Sequence, residues 1–111
     1  MNSGAGVSVF TYLWRFDVRA EHIAEFERIY GPDGNWVALF RGGEGYRSTQ
    51  LLADCENAGR YLTVDTWDSA AAYDAFRAAH ALEFAALDEH CERLTASETL
   101  IGRYETIGVL K

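Results

Sequence analysis

The chain is poor in the residues that would commit it to several functions. Of its 111 residues only one is proline, one is lysine and two are cysteine. The ten lysine and arginine residues are scattered against seventeen acids, giving a formal charge of -7. Without a clustered basic face, a nucleic-acid backbone has nothing to hold, so no nucleic-acid partner is expected. No apolar run approaches the ~20 residues that span a bilayer, and MNSGAGVSVF has neither the basic start nor the apolar centre of a signal peptide. No membrane partner is therefore expected. Cys55 and Cys91 lie far apart and make no metal-ligand spacing, which reads as two free thiols in a reducing cytoplasm. The three histidines include no i,i+4 pair, and no glycine-rich phosphate cradle opens a helix. Neither a metal nor any other cofactor is expected.

What is present is apolar and aromatic. Aromatic residues make up 14% of the chain, high for one domain of this length. Residues 1–7 read as a polar lead-in and 8–111 as a single domain. From Ser8 to Val18 a strand puts Phe10, Tyr12, Trp14, Phe16 and Val18 on one face. The opposite face is apolar in its first half, the mark of a strand covered on both sides. Glu21 to Tyr30 reads as a helix that Gly31 and Pro32 end. Asn35 is placed to cap a short second helix in which Trp36, Leu39 and Phe40 share a face. Two short helices joined at Gly31-Pro32 can form a lid or a packed bend.

Gly45 to Ala53 and Arg60 to Trp67 read as strands joined by a turn at Asn57, Ala58 and Gly59. The second of them puts Tyr61, Thr63, Asp65 and Trp67 on one face. It runs straight into a long amphipathic helix capped by Asp68 or Ser69. Along that helix Tyr73, Phe76, His80, Phe84, Leu87, Cys91 and Leu94 form one stripe. Its length predicts a break near His80 to Leu82. Thr95 to Ser97 reads as a turn and Glu98 to Ile107 as the last strand. The order β-α-(α)-β-β-α-β is the α+β, ferredoxin-like arrangement: a four-stranded antiparallel sheet with its helices on one face. The other face, partly apolar, calls for a second copy, so a homodimer through the sheet faces is expected.

Trp67 at the strand end and Tyr73 six residues on converge on one volume, either as a pocket wall or as core aromatics. Both can donate a hydrogen bond and stack on a flat molecule. Asp65 shares their face. It is a base if burial raises its pKa; if it is structural, it is the partner of Arg15 on the neighbouring strand or makes a strand-end hydrogen bond. His80 is either a second candidate base or a hydrogen-bonded core residue. Thr63, Trp14, Phe76 and Trp36 are candidate substrate contacts.

The runs GYRSTQLLAD, YLTVDTWDS, AAYDAF and ETLIGRYE resemble the antibiotic-biosynthesis monooxygenase family of dimeric α+β barrels, a likeness spanning Phe10 to Glu105. The resemblance implies a ferredoxin-like subunit, a dimer and a pocket between sheet and helices. In the cofactor-independent, quinone-forming branch it assigns pocket roles to Trp67 and Tyr73, while the position of that branch's asparagine holds Thr63. The haem-degrading branch is not matched, because its asparagine, tryptophan and histidine positions hold Trp14, Phe76 and Ala86. The expected function is cofactor-independent oxygenation of an aromatic or quinol-like substrate. The alternative is a non-catalytic dimeric barrel that binds a small apolar ligand or serves as an assembly unit.

Overall fold

A computed structural model describes residues 9–108; the lead-in at 1–7 lies outside them. Four strands, β1 (Phe10–Val18), β2 (Tyr46–Ala53), β3 (Arg60–Trp67) and β4 (Thr95–Glu105), form one antiparallel sheet in the order β2-β3-β1-β4. Helices α1 (Ile23–Tyr30), α2 (Asn35–Phe40), α3 (Ala70–Ala79) and α4 (Ala81–Cys91) supply the side chains packed against it. The expected α+β, ferredoxin-like order is the observed one. None of the described helices is long and apolar enough to cross a membrane.

The covered face follows from period-two patterning. β3 alternates without a fault, with Tyr61, Thr63, Asp65 and Trp67 buried and their neighbours half-buried. The partner residues on β1 are Phe16, Trp14, Tyr12 and Phe10 respectively. Those side chains meet Phe26, Tyr30, Trp36, Phe40 and Phe76 from the helices in a core built mostly of rings. Phe26 stacks on Tyr30 at 4.2 Å between centroids. Aromatic pairs of this kind add to what area burial alone provides. Gly43 is required by this packing: a Cβ there would stand 2.7 Å from Phe76 Cδ1 and 2.9 Å from Trp67 Cη2. Gly59, at φ +83, makes the β2–β3 turn in a conformation other residues rarely adopt.

Several local expectations need correction. Thr95 to Ser97 is not a turn but the start of β4, where Thr95 pairs with Val18 and Ser97 with Asp17. Ser97 Oγ donates to Asp17 Oδ2 at 2.7 Å, which ties that end of the strand down. Asn35 is the first helical residue of α2 rather than its cap, a position Gly34 occupies without a side-chain bond. Gly34 is fixed there because a Cβ would stand 2.2 Å from the Ile29 carbonyl oxygen. With Trp36, Val37 and Phe40 all buried, α2 is a packed bend rather than a free lid. Of the two candidate caps for α3, Ser69 does the work, accepting from the Ala72 N–H at 3.0 Å. The helix break falls at His80, whose backbone departs from helical geometry at φ -118, ψ 32.

Among the described residues no helix lies over the sheet's other face. It carries Leu13 and Arg15 from β1, Leu62 and Val64 from β3, and Leu52 and Tyr104 at 43% and 49% exposure.

Candidate active site

Between the covered face and the four helices lies a cavity of about 290 Å³, the lower end of what a small-molecule site needs. Its floor is the sheet: Tyr12, Trp14 and Phe16 from β1, Thr49 from β2, and Thr63 and Asp65 from β3, with the exposed Glu98 of β4 at the rim. Its walls are Tyr30, Trp36, Phe40, Tyr73, Arg77, Phe84 and Asp88. Phe10, Trp14, Phe76 and Phe84 therefore do not pack the space shut.

Asp65 is the electrostatic centre. Tyr12 on β1 and Thr49 on β2 are both its direct cross-strand partners, so the three side chains form one row across the sheet. Asp65 is 4% exposed. It accepts a hydrogen bond from Thr49 Oγ1 at 2.5 Å and forms no ion pair among the described residues. Burial pushes its pKa up to about 7, and the Thr49 hydrogen bond opposes the shift without cancelling it. The expected ion pair with Arg15 does not form, because Arg15 stands opposite Leu62 on the uncovered face. One residue of register separates the two faces, and the two charges fall on opposite sides.

The two tyrosines beside Asp65 differ in their access to water. Tyr12 lies 4.7 Å from Tyr73 between ring centroids. Its hydroxyl is buried with no hydrogen-bond partner among the described residues, and its pKa is raised well beyond the usual phenol range by burial first and by the Asp65 charge second. Tyr73 is half-buried, and its hydroxyl accepts from Arg77 Nη1 at 3.1 Å. The Arg77 guanidinium also lies 3.8 Å over the Phe84 ring, an arrangement that holds a cation at an apolar wall. Because Tyr73 accepts from Arg77, its own O–H is left to point elsewhere, and the accepted bond makes it a stronger donor.

Of the residues singled out from sequence, Asp65, Tyr73, Thr63, Trp14 and Trp36 line the cavity. Trp67, Phe76 and His80 do not. Trp67 is fully buried behind the wall, edge-on to Tyr73 at 5.4 Å and to Phe40 at 5.8 Å. A residue ending a central strand beneath a helix start is enclosed on every side, which the strand pattern alone does not show. His80 is half-buried away from the cavity: it stacks on Phe76, and its Nδ1 stands 3.4 Å from Glu83 Oε2. Phe76, at 3% exposure, packs against Trp67 instead.

Sequence reasoning missed Tyr12, Thr49 and Arg77. Arg77 left a signal, since i and i+4 on a helix are neighbours and it follows Tyr73 by four. Tyr12 was legible as an inward side chain, but its place beside Asp65 depends on cross-strand register. Thr49 left none.

The family described as antibiotic biosynthesis monooxygenase matches residues 10–87. Among solved structures, a mutant form of SnoaB, a cofactor-independent oxygenase from Streptomyces nogalater, superposes with a TM-score of 0.70 at 20% identity, covering 95% of this chain and 98% of that one. A conserved protein from Methanosarcina mazei gives 0.67 at 13% identity, over 88% and 92% of the two chains. A Pseudomonas aeruginosa protein gives 0.63 at 15% identity, over 93% and 96%. At such identities the likeness shows a shared fold. Among curated proteins none matches the chain.

Proposed function

This chain belongs to the antibiotic biosynthesis monooxygenase family, and from that premise we propose that it oxygenates an aromatic or quinol-like substrate with dioxygen and no bound cofactor. The observation that carries the reading is Asp65: a carboxylate in the floor of a ring-lined cavity, with no ion-pair partner among the described residues and its pKa raised to about 7 by burial. A buried acid left unpaired destabilises the fold, and such groups cluster where a proton must be moved. Asp65 is the base. It takes a proton from the enol or from the acidic ring carbon of the substrate, leaving an electron-rich enolate. Dioxygen accepts electrons at that carbon to form a carbon–oxygen bond. Protonation of the resulting peroxide, cleavage of its O–O bond and loss of the carbon's second hydrogen release water and leave a new carbonyl. For a CH2 group the balance is one dioxygen consumed, one C=O formed and one water released.

Tyr73, with Arg77 behind it, donates to the developing oxyanion in a place where water does not compete. Trp14, Trp36 and Phe84 supply the flat apolar walls, and Thr63 a hydroxyl beside the substrate. Trp67 acts from behind, holding the Tyr73 ring. The working unit is a homodimer in the cytoplasm, its two uncovered sheet faces meeting through Leu13, Leu52, Leu62 and Val64.

Oxygen uptake with a panel of anthrones and hydroquinones tests the chemistry. Uptake above the uncatalysed rate in the wild type, lost in Asp65→Asn, is the expected result. Wild-type rates equal to the uncatalysed ones across the panel, with the same compounds still bound, would identify a binding protein instead. Thr63, at the position of the quinone-forming branch's asparagine, is what favours that second reading. Light scattering at micromolar concentration tests the dimer, and a monomer there overturns it.

A further inference from the structure

A base that works repeatedly must lose each proton it takes, and Asp65 is 4% exposed, at the floor of a cavity that bound substrate fills. The hydrogen bonds that lead from it toward β2 have a fixed direction while it is ionised. Thr49 Oγ1 donates to Asp65 Oδ1. A threonine hydroxyl has one hydrogen to give, so the 2.7 Å contact between Tyr46 Oη and Thr49 Oγ1 is donated by Tyr46. Both hydroxyls thus point at the carboxylate, in the chain Tyr46 to Thr49 to Asp65. Tyr46 is half-buried, begins the edge strand β2 and is absent from the cavity wall.

We infer that Thr49 and Tyr46 form a proton exit from Asp65 to the solvent beside the sheet's edge strand, separate from the route by which substrate enters. The inference rests on Asp65 being the base. The transfer balances. A substrate proton reaches the Asp65 carboxylate, and the two hydroxyls turn over so that Asp65 donates to Thr49, Thr49 to Tyr46 and Tyr46 to water. Asp65 then passes its proton to Thr49 Oγ1, Thr49 its own hydrogen to Tyr46 Oη, and Tyr46 its own to water. One proton enters and one leaves, and both hydroxyls are left pointing at the carboxylate, as in the structure. Tyr46 and Thr49 are positioning residues that act through Asp65. The alternative is that Thr49 merely satisfies a buried carboxyl and Tyr46 merely packs, at 5.6 Å from Phe40 and 5.3 Å from Trp67 between centroids.

The test follows the Asp65 carboxyl carbon by NMR with the cavity filled by anthraquinone, which has no proton to give, reading the rate at which the Asp65 proton exchanges with water near neutral pH. Tyr46→Phe keeps the ring and its packing and removes only the O–H. Exchange slowed roughly tenfold or more in Tyr46→Phe, and further in Thr49→Val, supports the exit path. Exchange at the wild-type rate in Tyr46→Phe overturns it, since packing alone would leave that rate unmoved. A second measurement separates the two readings. Anthrone turnover in Tyr46→Phe is expected to lose kcat by a similar factor, with KM unchanged and a larger solvent isotope effect. Slowed exchange with unaltered turnover upholds the path and overturns Asp65 as the base.

Discussion

The two ends of the cavity contain the same chemical group in opposite circumstances. Asp65 and Tyr12 form one end; Glu98, opposite Phe16 on β4, and Asp88 on α4 form the other. Tyr12 and Phe16 are four residues apart on β1, so the ends stand roughly 13 Å from each other. Glu98 is raised above its ordinary range by partial burial first and then by the charges of Asp88 and Glu92, but it remains an exposed residue. Asp65 is raised by the loss of water, with no carboxylate among the described residues adding to the shift. Both carboxyls are raised first by loss of water, but at the exposed Glu98 the loss is partial and the added like-charge repulsion is screened by solvent and salt, whereas at Asp65 the loss is nearly complete. The comparison teaches that a carboxylate's chemistry here is decided by depth.

The largest effect that would break this contrast is on turnover. Asp65→Asn is expected to lower kcat/KM for an accepted anthrone by about 10²- to 10⁴-fold. A loss under twofold would remove the distinction between the ends. Tyr73→Phe is expected to cost about 10²-fold in kcat through the missing oxyanion donor. Arg77→Gln, which acts through Tyr73, should lose roughly tenfold, seen in kcat rather than KM. Next is pH. The rise in kcat/KM should inflect near pH 7, where Asp65 ionises.

Stability should show the opposite slope. The Asp65 pKa is raised on folding, from 3.8 to about 7, so the folded chain holds a proton that the unfolded chain releases. Its contribution to stability therefore falls as pH rises from about 4 to 7 and is level above that. Melting curves at pH 5 and pH 8 should differ by several degrees in the wild type, about 4–8 °C for each kcal/mol in a domain of this size. In Asp65→Asn that difference should shrink. The smallest change is reserved for the rim: Glu98→Gln is expected to alter kcat/KM by less than about twofold, because a solvated carboxylate contributes little. A rim effect as large as the floor effect would invert the comparison.

The sequence was informative wherever the information is local. Alternation in Arg60–Trp67 determined which side chains of β3 face inward, because a strand's period is two whatever lies beside it. The helical stripe and its break at His80, the Ser69 cap and the turn glycine Gly59 are likewise properties of short runs. Family membership rests on longer runs of the same kind. Tertiary structure decided what depends on separate segments meeting. Thr49 reaches Asp65 from 16 residues away, and Tyr12 from more than 50, only through the register of β2 and β1 against β3. Register is a property of pairs of strands, and a slip of one residue would exchange Asp65 for a neighbour on the uncovered face. Burial is collective in the same way: Trp67 became a wall support rather than a wall because Phe40, Tyr46, Tyr73 and Phe76 all close on it. The sequence by itself determined that an acid and two aromatics share one strand-to-helix joint. Packing decided that the acid stands in the cavity without a counter-charge, with Tyr73 beside it and Trp67 behind.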